Sequence, residues 1–334
     1  MAYTGTGSSA DPAIPSTITE LYKILTDARS GNVNGNTNGP YYIKLTQDID
    51  CANDSNYIGY AGVLNCFGGS VASSVIKIYA DTKKYIRGLT VKDDYFIRLM
   101  HNNNSYVGTT IQNIDFIDCF FKPMRSGNYN QVPTVFCANS TGSYARIVNS
   151  TISINVYGYV DSQNYAPYIS YMVGFSNCSV YLKYNSVYGF RSGDGIFNAY
   201  TVNTATTNNI FIFDGWYIPR LGTSWDYPIC KLGSSCSYNA FIFKNAKFQN
   251  PNNIYGLFYG SYNYLAFVNP SLSGTSSSVA LQGFSGTSNS IIATDSSAYG
   301  TVIIKGSDSS GVGYWLTLDE LKSEQKLLDI GFVP

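Results

Sequence analysis

Charge is scarce in this chain. Only 13% of its 334 residues are charged, about half the roughly 25% usual for soluble domains, so neutral polar groups have to keep its surface in water. The 21 basic and 21 acidic side chains cancel, which removes the electrostatic attraction that draws proteins to nucleic acid and to anionic membranes. Neither partner is expected. No window approaches about 18 uninterrupted apolar residues, and the first Lys or Arg is Lys23, so neither a membrane span nor a secretory signal is visible and synthesis in a cytoplasm is expected. Histidine occurs once, as His101 in a polar HNNNS segment, which argues against a serine triad and a Cys/His zinc site. The seven cysteines form no CxxC pair, and an odd number cannot be fully paired within one chain. They are read as small apolar thiols of a core. GxSxG, HExxH, P-loop and GxGxxG contexts are missing as well, and neither a cofactor nor a metal is expected.

Tyr, Asn, Ser, Thr and Gly take the place of charge. Between about 40 and 310, short β-branched and aromatic runs alternate with Gly, Asn, Ser and Asp clusters and show almost no helical periodicity. A repeat underlies them. IQNIDF, IVNSTI, KYNSVY, IFDGWY, FKNAKF, FVNPSL and ATDSSA each carry an Asn or Asp inside an apolar strand, at Asn113, Asn149, Asn185, Asp214, Asn245, Asn269 and Asp295. The intervals are 36, 36, 29, 31, 24 and 26 residues, as expected of one structural unit with loop insertions of variable length. A second strand precedes most of them: TVFCA (134–138), YMVGF (171–175), GIFNA (195–199), YPICK (227–231), GLFYG (256–260) and VALQG (279–283). Units with two or three short strands cannot bury a core alone, but stacking each on the last closes a common interior. The recurring Asn or Asp then marks a corner that needs the left-handed backbone conformation.

The reading is all-β, a single right-handed parallel β-helix (solenoid) with short capping helices at the N- and C-terminal ends. Open solenoid ends expose strand edges and have to be covered. Thr17-Ile-Thr-Glu20 is a capping box that opens a helix with Ile18, Leu21, Ile24, Leu25 and Ala28 in one apolar stripe. Thr317-Leu-Asp-Glu320 is a second box, with Leu316 and Leu321 at staple spacing and Gly331 at the stop. The expected organisation is a lead-in and capping helix over 1–40, the solenoid over 41–313 and a helical cap over 314–334.

The order GTG (5–7), DPAI (11–14), a helix and YYIKLTQDID (41–50), followed by KKYIRGLTV (83–91), YFIRLM (95–100) and TIQNIDFIDC (110–119), resembles the opening of GLUG-type right-handed parallel β-helix proteins. The closing WLTLDELKSEQKLLDIGF (315–332) is similar to the helical segment that ends many of them. The glycine of that family's GLFG strand is kept in VGF (173–175) and GLF (256–258) and lost in YFIRLM. The resemblance implies a bacteriophage virion protein (tail spike, tail fibre or head fibre), made in the bacterial host cytoplasm, homo-oligomeric with a trimer favoured, bound to other virion proteins and attached to host surface glycan. A glycan depolymerase tail spike and a bacterial surface adhesin are the alternatives, and an enzyme is the less favoured reading.

Hydrolysis of a glycan would need two carboxylates about 5–10 Å apart. Asp93, Asp94, Asp115, Asp118, Asp161, Asp194, Asp214 and Asp226 are the candidates; neighbouring rungs stack about 4.8 Å apart, so Asp115 or Asp118 could face a carboxylate on the next rung, and the sequence singles out no pair. A lyase would want a basic residue beside a uronate, and Arg191 with Asp194 in GFRSGDG (189–195) is the one suggestive setting. The 30 Tyr, 18 Phe and 3 Trp exceed what a narrow interior holds, so some rings must face outward, where tyrosine packs well on sugar C–H faces. The glycan-binding candidates are Tyr165, Tyr168, Tyr171, Trp216, Tyr217, Trp225, Tyr227, Tyr255, Tyr259, Tyr262 and Tyr264.

Overall fold

The computed structural model describes residues 3–37, 39–57, 59, 63–66, 75–99, 109–124, 133–138, 145–158, 168–185, 197–199, 205–218, 229–249, 254–268, 271–273, 278–282, 290–293, 301–304 and 312–315. Nearly all of them belong to a parallel β-solenoid. The longest sheet climbs through Tyr41–Lys44, Ile76–Arg87, Thr110–Phe121, Arg146–Val148, Gly174–Ser176, Thr207–Asp214, Ser237–Lys244, Tyr264–Val268, Ser290–Ala293 and Val312–Trp315. Thr151–Val156 and Ser179–Tyr184 complete two of its levels. A second sheet stacks Tyr95–Arg98, Thr134–Cys137, Tyr168–Tyr171, Phe197–Ala199, Cys230–Leu232, Ile254–Phe258, Ser278–Gln282 and Thr301–Ile304. A third, shorter one stacks Tyr217–Ile218, Lys247–Gln249 and Ser271–Ser273. Strands meet their counterparts one repeat later in parallel register, as Phe211↔Phe241 and Phe241↔Leu265 illustrate.

Alternation along the strands decides what is inside. In Thr151–Val156 the residues Ile152, Ile154 and Val156 are buried and those between them are not. Phenylalanine rings pack against one another in the interior: Phe175 meets Phe211 edge to face at 5.2 Å, and Phe211 stacks on Phe241 at 4.9 Å and 7°. Such ring pairs add to simple area burial. All seven cysteines are buried, and none forms a disulfide. Burial pushes Cys66, Cys119 and Cys137 up to about 12, which makes them inert core residues.

The N-terminal cap follows its sequence. The helix runs Ile18–Arg29, the Thr17 hydroxyl accepts the Glu20 N–H, and the buried residues are Ile18, Leu21, Ile24, Leu25 and Ala28. The Glu20 carboxylate accepts from Ser16 N–H at 2.7 Å, one residue before the position a capping box uses. Ahead of the helix, the lead-in pairs with the first ladder strand: Tyr42 N–H donates to Gly7 O at 2.8 Å, and Lys44 N–H to Ala13 O at 2.9 Å. Gly5 is obligatory there, with φ +83° and a Cβ that would lie 1.9 Å from Pro12 O. The expected C-terminal helix lies outside the described residues, and the ladder itself continues past position 313 to Trp315.

YMVGF is a corner, not one strand. Tyr168–Tyr171 belongs to the second sheet and Gly174–Ser176 to the first, and the chain turns between them at Met172, φ +60°. The Asn/Asp marks also fall at two corners rather than one. Register carries Asn113 onto Asn149, Asn177, Asn208, Tyr238 and Tyr262, all at φ between +50° and +59°. Asn245 (φ +51°) belongs to the other corner, where Gly215 (φ +73°) rather than Asp214 takes the left-handed conformation. Asn269 and Asp295 lie outside the described residues.

Candidate functional site

The left-handed corner of the long sheet exposes one side chain per level and buries the next. Its outer column holds amides: Asn149 Nδ2 donates to Asn113 Oδ1 at 2.7 Å, and Asn208 Nδ2 to Asn177 Oδ1 at 3.3 Å. Then the column changes chemistry. Tyr238 and Tyr262 occupy the same turn, stacked at 4.8 Å and 4°. Each is 38% exposed, and with Met124 they are the exposed large hydrophobics among the described residues. A bulky residue in the left-handed region is an outlier where Asn would sit readily.

Behind this column lies an asparagine ladder. Asn209 Nδ2 donates to Asn239 Oδ1 at 2.8 Å, Asn239 Nδ2 to Asn263 Oδ1 at 2.9 Å, and Asn263 Nδ2 to Cys236 O at 2.9 Å. All three are buried. They hold the tyrosine-bearing turns in place, because each satisfies backbone groups at a bend that regular pairing leaves open.

Beside the corner, the outward positions of the first limb form a second column. It runs Lys44, Tyr79, Gln112, Val148, Ser176, Thr207 and Ser237. Hydroxyls dominate its later levels. At the early levels the face hollows into a cleft of about 370 Å³ lined by Ser9, Tyr42, Lys77, Ile78, Tyr79, Thr110, Gln112 and Arg146. Lys77 Nζ lies 5.1 Å from the centre of the Tyr42 ring, within cation–π range. Cleft, amide column and tyrosine pair form one continuous band along the solenoid axis.

The residues singled out from sequence are dispersed by comparison. Tyr262 is in the band. Trp216 and Tyr264 are interior: Trp216 stacks on Tyr184 at 4.9 Å and donates to Leu182 O at 3.1 Å. Tyr168, Tyr171 and Tyr217 are half-buried against the core, and Tyr259 is half-buried beside Gly260. Tyr255 is placed only as part of the strand Ile254–Phe258. Tyr165, Trp225, Tyr227, Arg191, Asp194 and His101 lie outside the described residues.

Asp115 accepts from Thr151 N–H at 2.6 Å and pairs with Lys83 at 3.3 Å. Its register neighbour on the preceding level is Tyr85. Asp118 is exposed at the bulge of its strand, with φ +50°. Asp214 accepts from Tyr181 and Asn245 at 2.8 Å each. Asp115 and Asp214 are thus engaged by the scaffold.

Sequence reasoning did not pick out Tyr42, Lys77, Tyr79, Gln112, Arg146 or Tyr238. Only the corner rhythm could have pointed to Tyr238, because it occupies an asparagine position. Among the described residues no helix is long and apolar enough to cross a membrane, and no group of three or more His, Cys, Asp or Glu side chains could hold a metal ion. Comparison with known protein families, with curated proteins and with solved structures finds no match to this chain.

Proposed function

We propose that this solenoid is a non-enzymatic attachment protein that holds host-surface glycan along its amide–tyrosine band. The observation that carries the reading is the stacked Tyr238–Tyr262 pair, kept exposed in a backbone conformation that disfavours it. Strain of this kind persists where the surrounding structure holds it and is a pointer to function. Tyrosine is a rigid contact residue with little entropy to lose, and its ring face suits a sugar's C–H face. The flanking amides and hydroxyls supply neutral donors and acceptors for sugar hydroxyls.

The likeness to GLUG-type β-helices extends the proposal to a bacteriophage virion: a tail spike, tail fibre or head fibre, trimeric and seated on other virion proteins. Binding of the purified chain to immobilised bacterial surface polysaccharides tests it. Retention that falls about tenfold in Tyr238→Ser/Tyr262→Ser supports the proposal, at roughly 1.4 kcal/mol for the pair. New reducing ends or unsaturated products in the same incubation would make the protein a depolymerase. Sedimentation equilibrium reads the trimer directly.

A further inference from the structure

We infer that the glycan held by this protein is acidic, and that the cleft at the N-terminal end of the band takes its carboxylate groups. This deepens the attachment reading and rests on it. Tyr42, Lys77, Thr110 and Arg146 follow one another in register up the outer face of the sheet. Lys77 and Arg146 are thus two levels apart, roughly 10 Å at about 4.8 Å per level. Both line the cleft, and no Asp or Glu lines it among the described residues.

Two acids on the strands that carry Lys77 and Thr110 are already engaged. Asp81 pairs with Lys44 at 2.6 Å, and Asp115 with Lys83 at 3.3 Å. Neither Lys77 nor Arg146 takes part in an ion pair among the described residues. In a chain with no net charge, two uncompensated cations in one hollow give it a local positive potential that concentrates anions.

The remaining lining selects among anions. A small inorganic ion needs only the cations. Tyr42 and Tyr79 add ring surface, while Ser9, Thr110 and Gln112 add hydrogen-bonding groups spread along the cleft. That spread suits a ligand with an extended hydroxylated body and acidic substituents. The guanidinium of Arg146 can meet a carboxylate through two parallel hydrogen bonds. Lys77 contributes a point charge, braced over the Tyr42 ring.

Isothermal titration of the full chain with hexamers of galacturonic acid and of sialic acid, against maltohexaose, tests the inference. The expected result is tighter binding of an acidic hexamer. That affinity should weaken at least tenfold in Lys77→Gln/Arg146→Gln, which removes both charge-assisted contacts, and should fall as NaCl is raised. Gln112→Glu, on an exposed position, should weaken it as well, so the test survives if the double variant does not fold. Equal binding of acidic and neutral hexamers, lost only in Tyr238→Ser/Tyr262→Ser, overturns the inference and leaves the attachment reading standing. Displacement of the acidic hexamer by equimolar inorganic sulfate or phosphate overturns it in favour of a simple ion site. Failure of every acidic and neutral saccharide to bind removes the attachment reading and the inference together.

Discussion

Tyr238 and Asn239 show how one turn divides its work between an outward and an inward residue. Asn239 donates to Thr206 O at 2.7 Å and to Asn263 Oδ1 at 2.9 Å, and accepts from Asn209 at 2.8 Å. Asn239→Ala leaves these groups short of partners in a dry interior. We expect a loss of about 2–4 kcal/mol in a denaturant titration, since each unsatisfied buried group costs ~1–3 kcal/mol. Asn208→Ala, in the exposed column of the preceding level, should cost only ~1–2 kcal/mol, from the left-handed conformation. Equal losses at the two positions would contradict the ladder's role. Tyr238→Asn is a different experiment. It relieves ~1–2 kcal/mol of left-handed strain and forfeits ~0.5–1.5 kcal/mol of ring stacking with Tyr262. Stability should therefore stay within about 1 kcal/mol of the parent while glycan retention drops. A large destabilisation would instead make the tyrosine a structural residue.

The N-terminal helix is the element where sequence and structure agree best, and its tether is also what the sequence conceals. Its boundaries were legible because a capping hydroxyl at Thr17 and an apolar stripe are both local signals. Asp54 is not local. Its carboxylate accepts the Thr19 N–H at 2.9 Å and the Asn56 N–H at 3.0 Å, fixing the first turn of the helix to the coil beneath. Burial alone would raise Asp54, but the hydrogen bonds from Thr19, Asn56 and Thr17 outweigh it and hold the carboxyl below the ordinary 3.8. A carboxyl depressed on folding contributes stability that is complete above its unfolded value and is lost as pH falls through the folded one. Hydrogen exchange at the Thr19 amide, corrected for intrinsic rate, should therefore accelerate below about pH 4, where an unfolded aspartate begins to take up its proton. Asp54→Asn, which keeps an acceptor and removes the titration, should flatten that dependence.

The same contrast between local and non-local signals explains the corners and the cleft. Asparagine marks both corners, so composition merges them, and Met172 turns the chain without any turn residue to announce it. The cleft depends on register between segments some 35 residues apart, such as Tyr42 over Lys77 and Thr110 over Arg146. Variable loops hide such register from a reading of spacing. Buried Trp216 and Tyr264 illustrate the reverse error, in which composition assigns rings to the surface although the stacked interior has room for them.

For the whole molecule, the governing problem is the open end. A parallel ladder presents at its first strand a row of backbone groups ready to pair with another chain. Here the lead-in occupies that row: Tyr42 N–H and Lys44 N–H donate to Gly7 O and Ala13 O, while Ala13 N–H donates to Tyr42 O at 2.9 Å. The helix closes the apolar interior with five side chains that are 0% exposed. Deleting residues 1–40 removes both covers at once, leaving a hydrophobic end and a free edge on the same surface. Light scattering coupled to size exclusion should show the truncated chain growing into larger, concentration-dependent assemblies than the full chain forms. Leu21→Asp/Leu25→Asp separates the two contributions, since it disrupts the helix seat and leaves the Gly7 and Ala13 pairing residues in place. We expect this variant to lose stability with less growth than the truncation, because edge pairing requires a bare strand. A truncated chain with the same assembly state and unfolding midpoint as the full one would mean that the ladder end needs no cover.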